Sequence, residues 1–183
     1  MSHRQSGFTL VELMVAIAVV AILAGIALPS FNAALANAHM AAAKSALESA
    51  LLRSIARAAN AGTPVVLCAA RDGACADSVD WSGGWVAFHD LDGDRARSPA
   101  DTLIAQEGSL QSNTRLVSTS GRKRLIFQPS GGNAGSNVTF TLCDSRGPER
   151  ARSLILSNAG RLREAKADTD HAARCAAASV AAR

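Results

Sequence analysis

Four groups of residues in this chain stand at spacings that permit chemistry. Cys68, Cys75, Cys143 and Cys175 can pair as disulfides or hold a metal, Asp90, Asp92 and Asp94 alternate as calcium ligands do, Arg161 and Arg163 flank a single residue, and Glu12 is the one charge in an apolar run from Phe8 to Leu28. The cysteines lack the roughly two-to-four-residue separation of structural zinc ligands, and four of them allow three disulfide pairings. Cys68–Cys75 with Cys143–Cys175 is the expected set, because the first closes a tight local loop and the second fastens the C-terminal tail. Loop entropy alone makes them worth about 2.5 and about 3.7 kcal/mol. Counting Asp90 as the first position of a calcium loop puts Arg95 where glycine belongs and Asp101 where a bidentate glutamate belongs. Asp and Gly are also ordinary turn residues, so a polar hairpin is expected there. No metal and no cofactor is expected.

The arginine pair suits an anion. In an extended strand Arg161 and Arg163 project to one face with Cα atoms about 6.6 Å apart, and each offers a planar fork of donors matched to phosphate oxygens. Gly160 lets the backbone turn or approach closely. Lys166, Arg146, Arg150 and Arg152 can widen the track. The plainer reading is a solvated strand face. Charge distribution argues the other way, since residues 1–114 hold seven Lys/Arg against ten Asp/Glu while residues 115–183 hold twelve against five. A basic last third on an otherwise slightly acidic chain points to an anionic partner, nucleic acid or anionic lipid. No catalytic constellation is legible, because His3, His39, His89 and His171 are scattered and no glycine-rich phosphate loop precedes a helix. An enzyme is not expected.

The elements that position these residues begin with the apolar run. Phe8 to Leu28 is twenty-one residues long, close to the roughly 20 that a spanning helix needs. A short polar leader precedes it, and the small residue Gly7 lies before the run instead of after it, unlike an ordinary cleaved signal. Glu12 near the membrane edge costs less than the roughly 2.5 to 3.5 kcal/mol of a charge at the bilayer centre, yet enough to be an unusual choice. From Phe31 to Ala61 an Ala-rich stretch with Leu47, Leu51 and Ile55 at fourfold spacing continues the helix. Pro29 is expected to kink or loosen the junction, and Asn60, Gly62 and Pro64 to stop the helix. The whole helix would be on the order of 80 Å long.

Beyond Pro64 the pattern turns to short apolar runs between Gly, Asp, Ser and Asn, which reads as strands. Strands are expected at residues 65–69, 85–89, 102–106, 115–119, 124–128, 138–143, 153–156 and 161–165, with residues 130–137 a flexible hairpin loop. The fold class is therefore α+β: a long N-terminal helix on a β-rich head, an antiparallel sheet or a small sandwich. The divisions expected are a leader 1–7, a membrane helix 8–28, its amphipathic continuation 29–62 and a head 63–183.

Gly7-Phe8-Thr9-Leu10-Val11-Glu12 and the apolar run after it resemble the prepilin signature of type IV pilins and type II secretion pseudopilins. That resemblance implies cleavage between Gly7 and Phe8 by a prepilin peptidase, N-methylation of Phe8, and pairing of Glu12 with a neighbouring subunit's N-terminus during assembly. The plainer reading of Glu12 is a tolerated charge in a single-pass anchor. The implied location is the inner membrane with the head in the periplasm, where disulfides persist, followed by assembly into an extracellular pilus. Cys68, Cys75, the segment from Trp81 to Phe88, the Asp-rich turn, Cys143 and Gly160-Arg161-Leu162-Arg163 together resemble the FimT/GspH branch of minor pilins. In FimT members the Gly-Arg-x-Arg motif is associated with DNA binding in natural transformation. With no Tyr and no aromatic after Phe140, base stacking has little support, so recognition of the double-stranded DNA phosphate backbone without sequence preference is expected. Implied partners are DNA, other major and minor pilins, the peptidase and the inner membrane. The alternatives are a structural minor pilin for assembly initiation, with its arginines at subunit contacts, and a type II secretion pseudopilin that binds no DNA.

Overall fold

The computed structural model describes residues 9–111 and 113–180, apart from the side chains of residues 178–180. Gly7 and Phe8, the expected cleavage site, lie outside them. Helix α1 spans Leu10–Ala61, and the chain divides into two compact units after Ala38.

In the first unit α1 opens on Thr9, whose hydroxyl accepts the Glu12 backbone N–H at 3.2 Å. This is the N-cap half of a Thr-x-x-Glu capping arrangement, which also sets a carboxylate in the first turn where the helix dipole favours it. An 18-residue window of α1 has a mean hydropathy of 2.7, long and apolar enough to cross a membrane. The helix is unbroken at Pro29. Proline there removes a single donor and the flanking turns continue, with Ser30 Oγ donating to Ile26 O at 3.2 Å.

In the second unit the rest of α1 buries Met40, Ala43, Leu47, Ala50, Leu51, Ser54 and Ala58, a stripe at helical spacing. Ser54 is accommodated because its hydroxyl donates to Ala50 O at 2.7 Å. Leu47 and Leu51 are fully buried, each worth about 1.5 to 3 kcal/mol. Gly62 ends the helix with φ of 67°, the left-handed conformation that glycine adopts freely.

The strands are β1 (Val65–Arg71), β2 (Ala74–Cys75), β3 (Trp85–His89), β4 (Leu103–Glu107), β5 (Arg115–Ser118), β6 (Arg124–Phe127), β7 (Val138–Cys143), β8 (Arg152–Leu156) and β9 (Leu162–Lys166). They form two antiparallel sheets. In the first, β1 pairs with β3 and, on its other edge, with β6 and β2, while β3 pairs onward with β4. The second runs β5-β7-β8-β9. Period-two alternation gives each sheet an inner face: Val65, Leu67, Ala87, Leu125 and Phe127 from one and Leu116, Phe140, Leu142, Leu154 and Leu156 from the other join the α1 stripe in one core. Trp81 lies within it, edge-on to Phe140 with ring centroids 5.0 Å apart, its indole N–H donating to Ser118 Oγ at 3.1 Å.

The expected strands are present to within one or two residues. Three elements have no counterpart in the sequence reading: the two-residue β2, a 3-10 turn at Pro148–Arg150 and helix α2 (Thr169–Val180). The outer face of the second sheet carries Cys143 and Ala151 beneath Ala172 and Cys175 of α2. The segment expected as a loose hairpin loop is partly annexed by β6, with Gln128 N–H donating to Gly132 O and Ala134 N–H to Ile126 O, both at 2.8 Å. It covers an edge whose backbone groups would otherwise be unpaired.

Candidate nucleic-acid interface

The arginine pair is set by the turn between β8 and β9. Ser157 N–H donates to Arg161 O at 2.9 Å, Gly160 N–H donates to Ser157 O at 3.0 Å, and Arg161 N–H donates to Ser157 Oγ at 3.0 Å. Gly160 has φ of 77°, and a Cβ there would meet Gly131 O at 2.8 Å. Both the conformation and the close approach exclude a side chain. Arg161 stands just before β9, one residue outside the strand expected to contain it, and it stays in line because the Ser157 bond extends the ladder by one pair.

Register then sorts the basic residues. Arg163 is paired with Ile155, and Lys166 with Arg152. Paired residues share a face and neighbours along a strand alternate. Arg161 and Arg163 therefore point to the outer face of the second sheet, and Lys166 and Arg152 to the inner side near its far end. Arg150 lies in the 3-10 turn at that same far end. Arg146 is committed to Asp144, its Nη2 2.6 Å from Oδ2. Burial pushes the Asp144 carboxyl up, but the hydrogen bonds from Arg146 outweigh it and hold the group below its ordinary value. The single track expected of Arg146, Arg150, Arg152, Arg161, Arg163 and Lys166 thus divides, and only Gly160, Arg161 and Arg163 form a compact group. A one-dimensional charge count cannot see an alternation of faces.

Both arginines of that group are exposed, and neither forms an ion pair among the described residues. Other cations are engaged: Lys44 with Glu164 at 2.6 Å, Arg115 with Asp80 at 2.7 Å and Lys123 with Asp77 at 2.8 Å. Glu164, between the arginine pair and Lys166, faces Lys44 on α1, and its hydrogen bond raises the Lys44 pKa. No partner strand covers the outer edge of β9 among the described residues, where charged side chains also discourage edge-to-edge pairing.

Two rows of polar residues beside the pair went unrecognised in the sequence. Thr139 aligns with Ile155 and so with Arg163. One step past the strand ends, the same register carried on sets Asn137, Ser157 and Arg161 in line. Only the strand register reveals these rows.

Disulfides join Cys68 to Cys75, with Cα atoms 5.5 Å apart, and Cys143 to Cys175, with Cα atoms 6.1 Å apart. Both separations are ordinary for such bonds. The second bond ties α2 to β7. Asp90, Asp92 and Asp94 bring carboxylate oxygens within 4.8 Å of one another, closer than the plain hairpin expected. The loop's own bonds account for this: Asp90 Oδ1 accepts the N–H of Gly93 at 3.0 Å and of Arg95 at 3.4 Å, while Asp94 Oδ1 accepts that of Ala96 at 2.7 Å.

Residues 43–160 match the family model of the type II transport protein GspH, and residues 2–28 match the prokaryotic N-terminal methylation motif. No curated protein matches the chain. Among solved structures, the type IV minor pilin FimU of Pseudomonas aeruginosa superposes with a TM-score of 0.57 at 19% identity, covering 69% of this chain and 88% of that one. The minor pseudopilin EpsH from the type 2 secretion system of Vibrio cholerae gives 0.52 at 12% identity, covering 70% and 97%. At these identities the likeness concerns the fold. The family match ends at Gly160, one residue before the arginine pair.

Proposed function

This chain belongs to the family of the type II transport protein GspH, and from that premise we propose that it is a membrane-anchored minor pilin that captures extracellular DNA for uptake in natural transformation. The anchor rests on the methylation motif and the apolar window of α1. On this reading a prepilin peptidase cuts between Gly7 and Phe8, Glu12 meets a neighbouring N-terminus in a filament of pilins, and the head faces the periplasm before assembly.

The observation that carries the DNA reading is the exposure of Arg161 and Arg163 side by side on one face, without an acidic partner among the described residues. Two guanidinium forks held by a fixed turn suit phosphate oxygens on a duplex. The binding is electrostatic and indifferent to sequence. Gel-shift titration of the detergent-solubilised chain with duplex DNA across salt concentrations tests it. Arg161→Gln with Arg163→Gln weakens binding equally on unrelated sequences and flattens the salt slope by about 0.9 per lost phosphate contact. Unchanged affinity in a folded double variant removes the arginines from the function.

A second reading is favoured by where the family match stops. The match over residues 43–160 is equally that of a structural subunit for pilus assembly, with its arginines at subunit contacts, or of a type II secretion pseudopilin that binds no DNA. In either case DNA binding is absent from the start, and the double variant of the structural subunit loses filament contacts.

A further inference from the structure

We infer that Asn137 is a third phosphate donor of the arginine face, an inference that rests on the DNA reading above. The β7–β8 register pairs Val138 with Leu156 and Thr139 with Ile155, and the β8–β9 register pairs Ile155 with Arg163 and Leu156 with Leu162. One step past the last pair, Ser157 N–H bonds to Arg161 O, and Asn158 N–H donates to Asn137 Oδ1 at 2.9 Å. Carried one step past the ends of β7, β8 and β9, that register sets Asn137, Ser157 and Arg161 in one row on the face that bears Arg163. Two strand spacings put Asn137 and Arg161 about 10 Å apart. An anion lying across the turn spans both.

The Asn158 contact fixes which end of the amide is presented. A backbone N–H can only donate, so the atom facing the turn is the oxygen, and the exposed Asn137 turns its Nδ2 hydrogens away from it. An outward donor beside two cations fits a ligand that only accepts, as phosphate does. It fits adenine poorly, because the base edge asks for a donor and an acceptor together. The row adds grip without sequence preference. Ser157 Oγ is occupied as the acceptor of Arg161 N–H, which makes Ser157 the residue that positions the pair and Asn137 the one that touches the ligand.

Two variants and one spectroscopic readout test this on the detergent-solubilised full chain, with a short mixed-sequence DNA duplex as the probe. Asn137→Asp keeps the oxygen that Asn158 bonds to and removes the donors, and Asn137→Ala removes both without adding charge. Each is expected to weaken duplex binding, the Ala variant by about tenfold and the Asp variant by more. The side-chain amide resonance of Asn137, assigned by its loss in the Asp variant, is expected to shift as duplex is added. The shift is read on the unsubstituted chain, and its assignment requires only an Asp variant whose other resonances keep their places. An unmoved amide resonance while the arginine side-chain signals respond overturns the role of Asn137 and leaves the arginine reading standing, as does wild-type affinity in a folded Asn137→Ala. If neither amide nor arginine signals respond, the DNA reading fails and this inference falls with it.

Discussion

Replacing Gly160 by alanine tests the turn that aims the arginines. At φ of 77° an L side chain costs about 1 to 2 kcal/mol, offset by roughly 0.4 to 1 kcal/mol because alanine restricts the unfolded chain. The new Cβ would also stand 2.8 Å from Gly131 O. That oxygen belongs to a backbone segment fixed at both ends, with Gly131 N–H donating to Gln128 O at 2.9 Å and Asn133 N–H donating to Asn158 O at 2.8 Å. Relief therefore means shifting the turn, an overpacking cost of about 1 to 3 kcal/mol. The sum is about 1 to 4.6 kcal/mol, centred near 3, or on the order of 10 °C in Tm for a head of this size. Gly121 isolates the contact: it has φ of 80° but nothing within 4 Å of its Cβ position, so Gly121→Ala loses only about 0 to 1.6 kcal/mol. Trp81 and Trp85 are the two tryptophans of the chain, both buried in the head, so tryptophan fluorescence follows head unfolding in detergent. Gly160→Ala melting at or above Gly121→Ala would refute the reasoning, because the close approach would then carry no cost.

Cys143→Ser with Cys175→Ser opens a loop with a sequence separation of 32 and removes about 3.7 kcal/mol by loop entropy. Hydrogen exchange is expected to show α2 losing protection while β7 and β8 keep theirs, since the other buried α2 side chain is the small Ala172; equal protection in both forms would contradict it. Asp144 has a folded pKa below its ordinary 3.8, so its bond to Arg146 stabilises the head fully above that value and is lost as pH falls through the lowered one. Acid titration of tryptophan fluorescence should show Asp144→Asn less stable near neutrality but with a shallower loss below about pH 4; an unchanged acid limb would assign that loss to other carboxylates.

Much of this protein is readable from local chemistry. The apolar run with its polar leader, the Ala-rich continuation ended by Asn60, Gly62 and Pro64, and eight alternating apolar segments each carry their structural preference within a few residues, because helix and strand periodicities are properties of neighbours in sequence. Helix α2 was legible in principle. Its alanines favour a helix, and Asp168 caps it by accepting His171 N–H at 2.8 Å, but its buried face is only Ala172 and Cys175, too small an apolar stripe to draw attention. Tertiary structure alone decided the sorting of cations. Arg152 and Lys166 are as basic as Arg161 and Arg163, yet pairing register sends them to the opposite face, and Arg146 is consumed by an acid two residues away whose burial no sequence pattern announces. Asn137, far from the arginines along the chain, comes into line with them only when β7, β8 and β9 align. Sequence fixes which residues carry charge and which segments extend, whereas the hydrogen-bonded ladder determines which of those charges face the same way.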